Sequence, residues 1–268
     1  MGDGTNEDKN IPTRVGLDND WKHIAAGDYY SMALKSDGTL YAWGFLCEGP
    51  LKDGTSTNIP TQIDSDLEWK SIAGGSKFGL AITSHDELYA WGDNDFGQLG
   101  IGTSGNKIIP VKIGPDHDWE DISAMGDFTL ALKTDGSLYA WGDNERGQLG
   151  DGTNENKNTL VRVGSDNDWE SVSAGEIHSL ALKADHTLYA WGDNWSGELG
   201  DGTNESTNTP IQIGLYDDWT QIAAGSAQSH ALKSDGTLYG WGHNYDGQLG
   251  DGTNEMKNMP TQIGRAHV

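Results

Sequence analysis

Residues 179–214 read SLALKADHTLYAWGDNWSGELGDGTNESTNTPIQIG, and near-copies of this stretch recur along the whole chain. The threonines of its DGT tripeptide, or of IGT in one copy, fall at Thr5, Thr55, Thr103, Thr153, Thr203 and Thr253, spaced 50, 48, 50, 50 and 50 residues apart. Two tryptophan series keep step: Trp21, Trp69, Trp119, Trp169 and Trp219, then Trp43, Trp91, Trp141, Trp191 and Trp241. Of the eleven tryptophans only Trp195 falls outside both. A period near 50 points to a solenoid or a propeller before any catalytic motif. Both tryptophan series are therefore read as structural repeat core.

Within one period the apolar runs are short. Trp169, Val172 and Ala174 form one, Leu180–Leu182 and Leu188–Trp191 two more, and Ile211 with Ile213 a fourth, with Gly, Asp and Asn between them. That pattern predicts four short strands per repeat, and no stretch keeps the 3–4 spacing of a long helix. Asp37-Gly38, Asp135-Gly136 and Asp235-Gly236 supply the positive φ of a tight hairpin turn, and Asp86 and His186 hold the matching place in the other two copies.

The string WGDNERGQLGDGT (Trp141–Thr153) and the segments of the kind AGEIHSLALKADH (174–186) resemble the repeat of the RCC1-like family, named after the regulator of chromosome condensation. The resemblance spans essentially the whole chain. It implies an all-β fold, a β-propeller of roughly 50-residue repeats, each of four short antiparallel strands, in a family of seven-bladed rings. The family is functionally diverse: a guanine-nucleotide exchange factor that binds chromatin, a plant ultraviolet receptor, bacterial effectors and inhibitors of β-lactamases. The chain departs from it in blade count. Read as one domain over 1–268, it holds five full repeats, starting near 3, 53, 101, 151 and 201, and a partial sixth at 251–264. Residues 2–16 and 250–264 duplicate one another, so both termini offer the same closing piece. Self-assembly through these duplicated ends is one expectation.

Composition narrows the function classes. With 41 acidic against 17 basic residues the formal net charge is −24, which repels phosphate backbones and disfavours nucleic acid. The single cysteine, Cys47, permits no internal disulfide and no cysteine-based zinc site. No signal peptide and no apolar run of membrane-spanning length is present, and the compartment stays open. The four arginines are too few for the tryptophan–arginine chemistry of the ultraviolet-sensing relatives.

Site candidates come from positions where the repeats disagree. One set follows the Ala-Gly pair and includes Tyr29, Lys77 and Ile177; the second lies inside WGxNxxG and includes Cys47, Phe96, Arg146, Trp195 and Tyr245. Aromatic side chains in loops otherwise full of Gly and Asp are typical anchors for a protein partner, and Trp195 leads them. The segment FLCEGPLKDGT (45–55) breaks the repeat pattern and is either a distorted blade edge or a partner face. The oxygen donors Asp151, Asn154 and Glu155 raise a weak calcium possibility, against which turn capping is the simpler reading. No catalytic residue is assigned and no cofactor is implied: the eight histidines, His178 included, occupy different phases, and every carboxylate has near-copies along the chain. The expected function is a non-catalytic scaffold that presents loops to a protein partner, one with a basic surface. The alternatives are an exchange-factor-like regulator of a small GTPase and a carbohydrate or small-ligand module.

Overall fold

The computed structural model describes residues 2–45, 56–63 and 66–265. Cys47, Glu48, Pro50, Lys52, Thr55 and His267, and with them nearly all of the irregular 45–55 segment, lie outside the described residues. Among the described residues twenty strands form five four-stranded antiparallel sheets, each in chain order. The first sheet is β1 (Trp21–Ala26), β2 (Tyr30–Lys35), β3 (Leu40–Gly44) and β4 (Thr57–Gln62). The second is β5 (Trp69–Gly74), β6 (Phe78–Thr83), β7 (Leu88–Gly92) and β8 (Lys107–Lys112). The third is β9 (Trp119–Met125), β10 (Phe128–Lys133), β11 (Leu138–Gly142) and β12 (Lys157–Arg162). The fourth is β13 (Trp169–Ala174), β14 (His178–Lys183), β15 (Leu188–Gly192) and β16 (Thr207–Gln212). The fifth is β17 (Trp219–Ala224), β18 (Gln228–Lys233), β19 (Thr237–Gly242) and β20 (Lys257–Arg265).

The tight turn after each second strand forms in all five sheets. Asp86 and His186 adopt φ of 59° and 64° where Gly38, Gly136 and Gly236 adopt 76–82°, so two residue types that tolerate the left-handed region replace the glycine. The preceding Asp37, Asp135 and Asp185 each accept hydrogen bonds from the backbone nitrogen and hydroxyl of the residue two positions on, fixing the turn.

Sheets pack face on face through four apolar clusters, one per joint. At the third joint Phe128, Leu130, Leu132, Leu138 and Val163 of one sheet cover Trp169, Val172, Ala181 and Trp191 of the next. A polar latch closes the same joint: the Gln148 carbonyl accepts 2.8 Å bonds from both Trp191 Nε1 and Ser179 Oγ. A large apolar side chain so enclosed contributes about 1.5–3 kcal/mol.

A second repeated device lies against β1, β9, β13 and β17. Lys183 Nζ sits 5.0 Å and 5.1 Å from the ring centres of Trp169 and Tyr189 and ion-pairs with Asp166 (2.6 Å) and Asp168 (3.1 Å). Lys35, Lys133 and Lys233 repeat it, while the second sheet has Thr83 there. At Lys35, Lys133 and Lys183 the paired carboxylates hold the ammonium in its charged form against the cost of its burial.

The expected β-propeller is corrected here: the five sheets form an open row and do not close into a ring. None of the four clusters joins the fifth sheet to the first. Ile24 on the first sheet is 83% exposed, although its counterparts Ile72, Ile122 and Val172 are buried at joints. The expected partial sixth repeat is corrected with it, since 250–264 supplies the outer strand β20 of the fifth sheet. Residues 2–9 lie beside β4 instead, with Gly4 N donating to the Asn58 carbonyl at 2.8 Å.

Candidate functional site

The register of the sheets brings the two variable sets together. Tyr30 pairs with Gly44, Phe78 with Gly92, Phe128 with Gly142, His178 with Gly192 and Gln228 with Gly242. The loop entering each second strand and the loop leaving each third strand therefore emerge at the same end. Backbone bonds fasten them: Asp93 N to Lys77 O at 3.0 Å, Asp143 N to Asp127 O at 2.9 Å, Asp193 N to Ile177 O at 2.9 Å and His243 N to Ala227 O at 2.8 Å. Neighbouring sheets are tied at that end as well, by Asp28 N to Ser76 O, Ser76 N to Gly126 O and Glu176 N to Gly225 O. Tyr29, Lys77, Ile177, Phe96, Arg146, Trp195 and Tyr245 thus share one edge of the row.

The loops carrying the aromatics are held stiffly. In WGDNERGQLG the buried Asn144 stands in for a missing turn of backbone: its Oδ1 accepts from Leu149 N (3.0 Å), and its Nδ2 donates to the carbonyls of Thr153 (3.0 Å) and Glu155 (3.1 Å). Asn194 and Asn244 repeat the arrangement. Gln148 Oε1 accepts from Arg146 N at 2.9 Å, and Glu198 Oε2 from Ser196 N at 2.7 Å. On this frame Trp195 is 83% exposed and Tyr245 61%. Tyr29, Lys77, Phe96 and Arg146 are exposed too, while Ile177 is half-buried. Side chains on a fixed backbone lose little further freedom on binding.

The edge is acidic. Burial first, and then the neighbouring charges of Asp93 and Asp143, push the Asp127 carboxyl up to about 6. Glu198 occupies the place of Gln148. Gln148 Nε2 donates to Asp143 at 2.9 Å, but Glu198 needs a proton to make the corresponding bond with Asp193. Burial, and then the Asp193 charge, push its carboxyl up to about 7. Lys77 and Arg146 are the cations among the candidates.

The remaining candidates fall elsewhere. Asp151 accepts from Thr153 N (2.9 Å), Thr153 Oγ1 (2.7 Å) and Asn144 Nδ2 (3.2 Å), and its other oxygen faces Lys157 at 3.5 Å. Asn154 is engaged with the Glu145 carbonyl and with Asn208. This is a capped turn, and among the described residues no cluster of three or more metal-ligating side chains occurs. His178 is enclosed at a joint with Nε2 2.9 Å from Ser229 Oγ, and burial holds it down at about 4, so it is neutral near pH 7. The buried carboxyl of Glu198 and the lysine cages are not among the candidates drawn from the sequence. Both leave a trace there: GELG replaces GQLG once, and Lys133, Lys183 and Lys233 recur fifty residues apart.

A family model described as "RCC1-like domain" matches residues 1–268. Among solved structures, human WBSCR16 superposes with a TM-score of 0.84 at 24% identity, over 94% of this chain and 71% of its own, a likeness of fold. Prp20p from Saccharomyces cerevisiae, whose structure was described together with its binding properties to Gsp1p and histones, gives 0.81 at 27% identity, over 91% of this chain and 63% of its own. Yeast RCC1 (Prp20) bound by Kap60 gives the same score and identity, with 61% of its own length covered. The chain thus spans less than two thirds of the yeast protein. No curated protein matches it. Among the described residues no helix is long and apolar enough to cross a membrane.

Proposed function

The chain belongs to the RCC1-like domain family, and from that premise we propose that it is a protein-binding module acting as an exchange-factor-type regulator of a small GTPase. The observation that carries this reading is the single loop edge, where both variable sets meet on a rigid frame with Trp195 and Tyr245 exposed. Prp20p, at 27% identity, supports it through its described binding to Gsp1p. The regulatory activity is the finer part of the proposal, because the chain covers only 63% of that relative.

Charge selects the partner surface. A net charge of −24, with Asp93, Asp127 and Asp143 gathered at the loop edge, steers a partner that presents basic side chains and repels nucleic acid. The same property suits a histone-like protein, the second kind of partner described for Prp20p.

The test is release of a fluorescent GDP from Gsp1p on adding the purified chain. Accelerated release that weakens with salt supports the full reading. Binding without acceleration leaves a protein-binding module only, and neither binding nor acceleration sinks the assignment.

A further inference from the structure

At the third and fourth joints an asparagine bridges the aromatic-bearing loop of one sheet and the outer strand of the next. Asn154 Oδ1 accepts from Asn208 Nδ2 at 2.9 Å, while its own Nδ2 donates to the Glu145 carbonyl at 3.3 Å. Asn204 does the same between Asn258 Nδ2 (3.4 Å) and the Trp195 carbonyl (2.9 Å). Each bridge thus joins a donor fixed on the strand to an acceptor fixed on the loop backbone, and a carboxamide supplies the complement of both.

The second joint keeps the docking bonds and lacks the bridge. Gly102 N donates to the Asn158 carbonyl at 2.8 Å, as Gly152 N does to that of Asn208 (2.9 Å) and Gly202 N to that of Asn258 (2.7 Å). A Cβ on Gly97 would stand 2.6 Å from Asn158 Cα, and one on Gly147 2.7 Å from Asn208 Cα, so loop and strand approach alike. Yet Ser104 stands at the place of Asn154 and Asn204, and its side chain is too short to span the gap. Among the described residues the Asn158 carboxamide and the Asp95 carbonyl therefore lack the mate that their counterparts have. Asn158 is accordingly exposed, where Asn208 and Asn258 are half-buried. At the first joint Ser56 and Ile108 replace both members of the pair, so no amide is orphaned there.

A cleft of about 330 Å³ touches both orphaned groups, and Asp95, Phe96, Ser104, Lys157 and Asn158 are among its walls. Phe96 is 37% exposed, and Gln98 Oε1 fixes its backbone nitrogen at 2.9 Å. A cleft of about 340 Å³ at the fourth joint includes Ser196, Asn204 and Asn258, and there the amides are already mated. We propose that the second-joint cleft binds the primary carboxamide of a partner's asparagine or glutamine side chain, in the place that Asn154 and Asn204 fill from within. The incoming oxygen accepts from Asn158 Nδ2, the incoming nitrogen donates to the Asp95 carbonyl, and the methylene stem lies along the Phe96 ring. A carboxylate here would set lone pairs against the Asp95 carbonyl, and the chain's charge of −24 opposes it further. An ammonium offers no acceptor to Asn158 Nδ2. The inference stands apart from the GTPase reading, since it needs only the cleft and an amide.

The test is an NMR titration of the full chain with three tripeptides, Gly-Gln-Gly, Gly-Glu-Gly and Gly-Lys-Gly, at physiological salt. All are acetylated and closed as methylamides, so the glutamine carries the only primary amide. The glutamine peptide should shift the Asn158 carboxamide and the Ser104 backbone amide, leave Asn258 unmoved, and saturate in the millimolar range that two hydrogen bonds and a ring contact support. The glutamate and lysine peptides should bind about tenfold more weakly or not at all. Ser104→Asn, which supplies the bridge of the next two repeats, should abolish the Asn158 response without lowering the unfolding temperature. Asn158→Ala, which keeps the docking carbonyl, should weaken the Ser104 response about fivefold or more. A glutamine peptide that leaves Asn158 unmoved overturns the proposal, as does one that shifts Asn258 equally or acts undiminished on either variant. A lysine peptide that binds as well as the glutamine one gives the cleft to a cation and overturns it too.

Discussion

Trp241 reaches across a joint to Glu198: its indole nitrogen donates a 2.8 Å bond to the Glu198 carbonyl, just as Trp191 does to Gln148. Each of these indoles thus fills apolar space between two sheets and also supplies a second donor, beside Ser179 or Ser229, to a buried carbonyl. Replacing Trp191 by alanine should cost about 3–5 kcal/mol in denaturant unfolding, from cavity and lost bond together. Trp43→Ala should cost less, since no sheet covers the face beyond it. Equal losses would contradict an open row.

Gly150 and Gly250 offer a matched comparison. Their φ values are 71° and 72°, so alanine brings the same backbone strain to both, about 1–2 kcal/mol. Only at Gly150 does the new methyl meet an indole, 2.7 Å from Trp191 Nε1. Gly150→Ala should therefore be worse by a further ~1–3 kcal/mol, the usual cost of overpacking. The measurement is thermal or chemical unfolding of both variants in dilute solution.

Glu198 carries a pH signature. Its folded value near 7 lies above the ordinary 4.5, so the folded state holds a proton that the unfolded chain has released. Stability from this group is fully present below about 4.5, falls as pH rises toward about 7, and is flat above that. Glu198→Gln supplies the donor that Gln148 supplies to Asp143, without a charge. It should remove this fall and stabilise the protein above pH 7 by roughly 1–3 kcal/mol. A variant with an unchanged pH profile of unfolding would show that Glu198 is not the group responsible.

Trp195→Ala should leave the unfolding transition within about 0.5 kcal/mol of the parent, as expected for an exposed side chain. It should weaken the protein partner by at least tenfold, about 1.4 kcal/mol, if Trp195 is an anchor. Titration calorimetry against Gsp1p reads the second quantity. Unchanged affinity would move the anchor to Tyr245 or Phe96.

The repeat and the order of its strands were legible because each depends on local pattern: Trp169, Val172, Leu180 and Leu188 recur at fixed offsets, and Asp135-Gly136 marks a turn by its chemistry. Row closure was not legible, because it depends on the small angle between successive sheets, which no single residue encodes. The loop edge was half legible. The variability of Lys77 and Phe96 is plain in the sequence, but that their loops meet follows from the pairing of Phe78 with Gly92, a fact of register. Glu198 stands in the sequence as one GELG among GQLG copies, and only its burial beside Asp193, which raises its carboxyl, sets it apart.

A row with two ends also has a middle. The third sheet is covered on both faces, whereas the first and fifth are each covered on one, so opening should begin outside and travel inward. Amide hydrogens of β10 and β11 should then be the slowest to exchange with solvent, and those of β2 and β18 the fastest among equivalent strands. Unzipping of this kind would make the chain's lifetime against proteases a property of its terminal sheets.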